Sequence, residues 1–402
     1  LIGIGGVGMS ALATALVRLG DEVTGADRTL GTPNVRRLES IGVKCFPDDG
    51  TGVDGTTDEV IASTAIEDGN PGLEKARELG IPVIHRAAAL ARTLSPYKLV
   101  AVVGTCGKST VTAMLGHILA ECGFDPMCVN GANVPGWEGA VRFGRGEYAV
   151  AEVDESDKSL VAFKPYAAVV TNASADHYSK EEMDEVFDAF VEGMPGPLVE
   201  GRKVYGEADV SVPGRHNRNN AFLALEMAKA LGCGEAEAKA ALLKFGGVER
   251  RLQKIGEGVY DDYAHNPEKI RAMWTTLAEA HPDGICVVWR PHGYAPLRKM
   301  LDALAAMFND TIRSCDKLLL LPVYDAGGTA DRSVNSDLLA DMIDSRKVVE
   351  VSGLEDAYEW IYSNRSKFSA VVTCGARDPE LPILAQRIAG GYCKTEGGFC
   401  AI

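Results

Sequence analysis

The chain has 402 residues, 46% hydrophobic and 24% charged, with a formal net charge of −15. That length accommodates two or three domains, and the acidic balance disfavours a nucleic acid or an anionic membrane as partner. Apolar runs are too short to cross a bilayer, no secretory signal is expected, and the ten cysteines show no metal spacing, so a cytoplasmic protein with reduced thiols is expected. Residues 1–4 read as a strand, and a start at Leu1 without a methionine implies that residues precede it. Gly3, Gly5 and Gly8 form a Gly-x-Gly-x-x-Gly turn, with Gly6, Val7 and Met9 leading into a helix. Asp27 ends a second apolar strand about 20 residues on, the spacing of a dinucleotide-binding unit. Such glycines let backbone approach a pyrophosphate, but NAD, FAD and a UDP-sugar all remain open, as does a Rossmann-like scaffold with no ligand there. Residues 60–66 read as a strand ending in the hydroxyls of Ser63 and Thr64. Residues 81–85 read as another short strand, and the turn at 95–97 closes a first domain, 1–97.

The second domain, 98–248, opens on the stretch that organises the chain. Residues 99–103 are an unbroken apolar run that suits a strand buried on both faces. A polar turn comes next, Gly104, Thr105, Cys106, Gly107, Lys108 and Ser109, and Thr110 enters the next element. Then Val111, Met114, Leu115, Ile118 and Leu119 recur at helical spacing. Strand, glycine turn and helix make a phosphate cradle, with backbone N–H groups and the helix N-terminus facing the anion. Lys108 would reach the outer phosphates and the Ser109 hydroxyl would ligate Mg2+. The turn is shorter than the usual GxxxxGK[ST]. An ordinary strand-to-helix turn with a stray lysine is the plainer alternative.

Residues 148–154 read as a strand ending in acids, among them Glu152, Asp154, Glu155 and Asp157. Acids there are candidate Mg2+ ligands or simply a solvated loop. Residues 167–172 read as a further strand, which places Asn172, Asp176 and His177 just past its end, where open α/β sheets bind ligands. Residues 212–220 precede an expected helix over 221–231. In that segment Arg215 and His216 can meet phosphate, while the Asn217 and Asn220 amides can read an adenine edge or cap the helix. A helix over 235–245 is expected to stop at Gly246 and Gly247. The third domain, 249–402, alternates strands with helices. It carries Arg250, Arg251, Asp261, Asp262, Tyr263 and His265 at its start, and a mostly parallel sheet is expected.

In this order the motifs resemble the Mur ligase family over nearly the whole chain. The turn at 3–13 is similar to the family's UDP-substrate turn, and Gly104-Thr-Cys-Gly-Lys-Ser109 resembles its short ATP loop. Pro213-Gly-Arg-His-Asn217 with Asn220 matches its PGxHNxxN segment, and Arg250-Arg251 with Asp261-Asp-Tyr-Ala-His265 matches its third-domain motifs. The resemblance implies an α/β protein of three domains: a Rossmann-like N-terminal domain, a central P-loop ATPase-like parallel sheet, and a C-terminal Rossmann-like α/β domain. It implies an ATP- and Mg2+-dependent amide ligase joining an amino acid, L-alanine first, to UDP-N-acetylmuramate through an acyl phosphate. The implied catalytic residues are Lys108, His177, Arg251 and His265. Residues 104–110, Asn172, His216, Asn217, Asn220, Arg251 and Asp262 would take ATP, and Ser109, Glu152 and His177 would hold the metal. Gly3, Gly5, Gly6, Val7, Gly8, Met9, Asp27, Ser63 and Thr64 would take the UDP-substrate. Small molecules are the implied partners, with the chain a monomer or a homodimer.

The sequence departs from the family's pattern in four places. Cys106 stands where a histidine is usual. Ala264-His-Asn-Pro267 replaces Gly-His-His-Pro. Gly293 and Pro296 replace two arginines that would grip the amino acid's carboxylate, so Arg290 or Arg298 must substitute or the incoming amine must differ. Only 35 residues separate His177 from Pro213, which implies a lost subdomain or omitted residues. The alternatives carried are a recycling ligase that adds a peptide to the same sugar, a dinucleotide-dependent oxidoreductase, and a catalytically weak nucleotide-binding relative.

Overall fold

A computed structural model describes residues 1–154, 159–172, 180–325 and 331–390. It divides into two units, Leu1–Val212 with His216–Val248, and Pro213–Arg215 with Glu249–Ile402. In the first, β1 (Thr24–Asp27) pairs with β2 (Lys44–Pro47), and β3 (Val60–Ala62) with β4 (Val83–His85), all parallel. The strand expected at 1–4 is reduced to a bridge. Ile2 pairs with Ala26, and its N–H donates to the Ile61 carbonyl at 3.0 Å, so it joins the two pairs. Gly3 at φ +73° turns the chain away immediately afterwards, which ends the extended run.

The larger sheet of this unit contains β5 (Lys98–Val103), β6 (Met127–Val129), β7 (Val141–Arg142), β8 (Tyr148–Glu152), β9 (Ala167–Val170) and β10 (Leu198–Glu200). Its order is β10-β9-β5-β8-β6-β7, parallel except for β7. The chain leaves β5 for β6 on one side and later places β9 on the other. The carboxyl end of β5, between those of β8 and β9, is therefore a switch point where ligands bind in such sheets. Val111, Met114, Leu115, Ile118 and Leu119 of helix Lys108–Glu121 are all fully buried. At ~1.5–3 kcal/mol per side chain their burial fixes this helix, and hence the turn before it, against the sheet. Leu12, Leu16 and Leu90 share one core with Leu99, Val103 and Met127, so the segments on either side of residue 97 pack as a single body.

The helix expected over 221–231 begins earlier, at Arg215, and runs to Ala230. His216, Asn217 and Asn220 therefore stand on its first turns rather than ahead of it. The break is made by Pro213 and by Gly214, which takes φ +103°. The next helix, Glu235–Leu242, stops short of the glycines at 246 and 247.

The second unit holds β11 (Gln253–Gly256), β12 (Val259–Asp262), β13 (Ile285–Trp289), β14 (Lys317–Leu320), β15 (Val348–Glu350) and β16 (Ala370–Cys374). Their order is β11-β12-β16-β13-β14-β15, with only β11 antiparallel. Trp274, Trp289 and Phe308 pack edge-on in its core, and the Trp274 indole donates to buried Asp316 at 3.0 Å. Among the described residues no helix is long and apolar enough to cross a membrane.

Candidate active-site groups at the sheet edges

The turn after β5 is held by the ends of its neighbours. Asn172 Oδ1 accepts from the Cys106 N–H at 2.9 Å and from the Thr105 hydroxyl at 2.6 Å. The Cys106 carbonyl accepts from Thr171 Oγ1 at 2.7 Å and from Asn172 Nδ2 at 3.0 Å. Gly104 and Gly107 sit at φ +126° and +84°. A Cβ on Gly104 would stand 2.2 Å from Thr171 Oγ1, and one on Gly107 would stand 2.6 Å from Asn220 Oδ1. Glycine is therefore required twice, by backbone angle and by close approach. Helix Lys108–Glu121 has no side-chain cap, so the N–H groups of its first turn face the space enclosed by the loop.

Lys108 Nζ donates to the Gly104 carbonyl at 2.7 Å and lies 4.0 Å from Asp154 Oδ1. Ser109 is buried at the helix start. Glu152, in register with Val102 of β5, accepts from the Gly131 N–H at 2.8 Å through one oxygen. The oxygen chemistry of Ser109 and Glu152 suits Mg2+. His177, Asp176, Glu155 and Asp157 lie outside the described residues, so the third proposed metal ligand has no stated place here. Among the described residues no cluster of three or more His, Cys, Asp or Glu side chains is placed to hold a metal ion.

Beside the loop lies a 270 Å³ cavity lined by Thr171, Asn172, Tyr205, His216, Asn220 and Phe222, among others. Thus Asn172, His216 and Asn220 are brought together, and the two asparagines link cavity to loop. Asn217 is buried in the same helix. Sequence reading missed Tyr205 and Phe222, the aromatic walls. Nothing in the sequence pairs them, because Tyr205 sits in an irregular segment and Phe222 reads as an ordinary helix residue.

At the smaller sheet, the Gly5 N–H donates to Asp27 Oδ2 at 2.8 Å, and the Thr29 N–H donates to Oδ1 at 3.0 Å. Asp27 thus braces the glycine turn directly. Gly6 caps helix Val7–Leu19 without a side-chain bond, and Gly8, Met9 and Val7 enter it. Ser63 comes directly after β3, and its carbonyl accepts from Ile66, whose side chain lies 3.2 Å from where a Gly3 Cβ would stand. Thr64 is exposed in the same turn. Sequence reading missed Arg86. Its guanidinium lies 3.0 Å from the Cβ position of Gly8, a cation set against a helix N-terminus that favours anions.

In the second unit, Arg250 and Leu252 take φ +57° and +47° around Arg251. Arg250 Nε bonds buried Asp261 at 3.0 Å, and its Nη2 donates to the Gly375 carbonyl at 2.5 Å. Arg251 lies over the Tyr263 ring at 5.4 Å. Asp262 accepts from the N–H groups of Leu252 at 2.6 Å and Ala264 at 2.7 Å, and burial pushes its carboxyl up to about 6. His265 Nδ1 bonds the Tyr263 carbonyl at 2.9 Å, and its ring meets that of His292 edge-on at 4.9 Å. Burial pulls the His265 imidazole down to about 4, so it is neutral at physiological pH. With Nδ1–H donated to a carbonyl, Nε2 is left as an acceptor.

Both arginines expected to substitute at the carboxylate grip already have acidic partners. Arg290 is bonded to buried Asp378 at 2.7 Å and to the Pro322 carbonyl at 3.1 Å. Arg298 is bonded to Asp331 at 2.7 Å and Ser333 at 2.9 Å.

A glycine loop closed on an uncapped helix at the switch point of a parallel sheet is the architecture of the phosphate-loop nucleotide-binding α/β enzymes. Residues 1–98 match "Mur ligase family, catalytic domain" and residues 250–377 match "Mur ligase, glutamate ligase domain". The sequence is 36% identical to the UDP-N-acetylmuramate–L-alanine ligase of Rubrobacter xylanophilus, over 94% of this chain and 96% of that protein. The chain belongs to the Mur ligase family. Its structure is similar to UDP-N-acetylmuramate-alanine ligase MurC of Thermotoga maritima, with a TM-score of 0.80 and 25% identity over 96% of this chain and 97% of that one. A murein peptide ligase of Psychrobacter arcticus shares the fold at TM-score 0.64 and 19% identity, over 96% and 97% of the two chains.

Proposed function

We propose that this protein is an ATP-dependent ligase joining L-alanine to the carboxylate of UDP-N-acetylmuramate in peptidoglycan precursor synthesis. Its likeness over 94% of the chain to a relative of that name supports the reading, together with the loop geometry between β5 and helix Lys108–Glu121. The sugar carboxylate attacks the γ-phosphorus of ATP, and ADP leaves. The amine of the amino acid then attacks the resulting acyl phosphate, and inorganic phosphate leaves as the amide forms. Backbone N–H groups of residues 107–109, at the uncapped start of helix Lys108–Glu121, hold the phosphate oxygens, while those of Thr105 and Cys106 are engaged by Asn172. Lys108 exchanges the Gly104 carbonyl for the transferring phosphoryl group, whose charge it disperses. The adenine ring is assigned to the cavity between Tyr205 and Phe222, with the Asn172 and Asn220 amides on its edge.

Mg2+ held by Ser109, Glu152 and His177 would neutralise charge on the β- and γ-oxygens. The turn at 3–9, Asp27, Ser63 and Thr64 are assigned to the UDP-substrate, with Arg86 added at its pyrophosphate. His265 is assigned to the incoming amine, and Arg251 and Asp262 to the nucleotide. The three segments 1–97, 98–248 and 249–402 are assigned to sugar nucleotide, ATP and amino acid, in a cytoplasmic monomer or homodimer.

The test is phosphate release with ATP, UDP-N-acetylmuramate and each amino acid singly, with a tripeptide in parallel. L-Alanine is expected to give the highest kcat/KM, and Lys108→Ala to abolish release while leaving the fold intact, as a cooperative thermal transition reads. Release with the tripeptide alone, or with no amine donor, refutes the reading.

A further inference from the structure

The incoming amino acid brings a carboxylate as well as an amine, and a site that selects it needs a cation in fork geometry. Gly293 and Pro296 supply none. The carboxyl ends of β12, β13, β14 and β16 form one edge of the second sheet, and most arginines along it are already paired. Arg250 bonds Asp261, Arg290 bonds Asp378, and Arg298 bonds Asp331. Arg332 bonds Asp325 at 2.8 Å. Arg251 lies over the Tyr263 ring and is assigned to the nucleotide, which leaves Arg377. It is exposed and makes no hydrogen bond or ion pair with another described residue.

Its place is well fixed by backbone. Cys374 lies in register between Asp262 of β12 and Trp289 of β13. The Gly375 N–H then donates to the Asp262 carbonyl at 3.1 Å, and the Arg290 N–H to the Cys374 carbonyl at 3.1 Å. On the far side, Asp378 accepts from the Glu380 N–H at 2.8 Å and holds Arg290. The turn 375–378 is thus anchored at both ends, between the strand that leads to His265 and the strand that leads to His292. Arg377 is close enough to His292 for its charge to join burial in lowering that imidazole, and His292 touches His265.

The backbone argues the same way. Arg377 takes φ +65°, a left-handed angle that glycine or asparagine adopts more easily than arginine. A strained arginine at a ligand edge suits a role in binding, because its conformation costs stability and no partner among the described residues offsets it.

We propose that Arg377 is the group that grips the carboxylate of the incoming amino acid. It supplies from the turn after β16 the fork that Gly293 and Pro296 lack after β13. The inference rests on the ligase reading above and adds the specificity-determining residue of its third substrate. The carboxylate on Arg377 and the amine toward the neutral Nε2 of His265 would orient one amino acid across the ends of β12, β16 and β13. Lys269 is the rival cation, since its charge also acts on both imidazoles.

The test compares L-alanine with L-alaninamide in the phosphate-release assay for wild type, Arg377→Gly, Arg377→Lys and Lys269→Met. Glycine suits φ +65°, so Arg377→Gly is expected to melt at or above the wild-type temperature. Its KM for L-alanine should rise about 10- to 150-fold, the loss of a charge-assisted bond. KM for ATP, for the UDP-sugar and for L-alaninamide should stay within about twofold of wild type, below the weakest such loss. Arg377→Lys should fall between. An unchanged KM for L-alanine, an equal rise for the amide, or a larger selective loss in Lys269→Met overturns the proposal. If wild type turns over a different donor, the L-alanine assignment fails, and the same acid-against-amide comparison on that donor decides Arg377. No turnover with any amine donor sinks the ligase reading, and this proposal with it.

Discussion

Replacing Gly104 by alanine tests the loop at its tightest point. The new Cβ would stand 2.2 Å from Thr171 Oγ1, 2.9 Å from the Asn172 carbonyl oxygen and 3.0 Å from the Asn172 nitrogen. Two of those three atoms are backbone at the end of β9, so no rotamer change relieves them. The φ of +126° adds about 1–3 kcal/mol for a residue with a Cβ. The overlap adds about 1–3 kcal/mol more, because either the loop or the end of β9 must shift. The sum of about 2–6 kcal/mol corresponds to a fall of about 5–20 °C in the melting temperature of a unit this size. Calorimetry and ATP titration read both consequences, and ATP affinity is expected to fall with stability because the same N–H groups are displaced. Thr171→Ala in the same chain removes the closest of the three clashes. The double variant should therefore be more stable than the sum of the two single losses by about 1 kcal/mol or more. A Gly104→Ala protein that melts like wild type and binds ATP equally well would refute the account of the loop as sterically closed.

Asp261 is fully buried and bonded to Arg250 at 3.0 Å and to Thr373 at 2.7 Å. Asp261→Ala leaves the guanidinium without its carboxylate and is expected to destabilise the second unit by about 3–5 kcal/mol, read by thermal melting. Asp262 and His265 make opposite contributions to pH dependence. His265 is lowered from 6.5 to about 4, so its stabilising contribution is lost as pH falls through that window. Asp262 is raised from 3.8 to about 6, so its contribution is present at low pH and lost as pH rises through 6. Each amounts to about 3 kcal/mol, and together they nearly cancel between pH 4 and 6.5. His265→Gln removes one side of the balance. Relative to wild type, the variant should gain about 3 kcal/mol on going from pH 6.5 to 4, and parallel melting profiles would contradict the assignment.

Local patterns in the sequence foretold the elements that carry their own signals. The run 99–103 and the spacing of Val111 to Leu119 announce β5 and its helix, because burial on both faces leaves no alternation to mislead. The short edge strands β7 and β10 were not legible, since two or three residues carry no period and pair only because a neighbour offers a free edge. At the site, the loop and the end of β9 were foreseen as separate pieces. Their joining through Asn172 depends on sheet order, which no spacing reveals. Asp27 shows a related gap. Its spacing from the glycines is legible, whereas the two bonds by which its carboxylate accepts from the Gly5 and Thr29 N–H groups depend on how the turn folds back onto the end of β1. Arg377 is not legible in sequence, because an arginine after a glycine turn looks like any surface residue until its φ of +65° is known.

The hydrogen bonds around residue 106 explain why a cysteine can stand there. Its N–H is held by Asn172, and its carbonyl is held by both Thr171 and Asn172. All three of these bonds are to backbone, so they tie the loop's shape to Thr171 and Asn172 at the end of β9 whichever side chain stands at 106. Cys106→Ser and Cys106→His are therefore expected to keep ATP affinity within about threefold, as substitutions away from buried networks do. Asn172→Ala removes the Oδ1 acceptor of two bonds and the Nδ2 donor of a third. At about 0.5–1.5 kcal/mol each, their loss predicts a fall in ATP affinity of at least about tenfold. Because Asn172 also lines the cavity assigned to the adenine ring, AMP affinity should fall in the same variant, whereas free pyrophosphate should report the loop alone. Loss of ATP binding in Cys106→Ser with none in Asn172→Ala would reverse the order of dependence, and the thiol rather than the backbone would then define this loop.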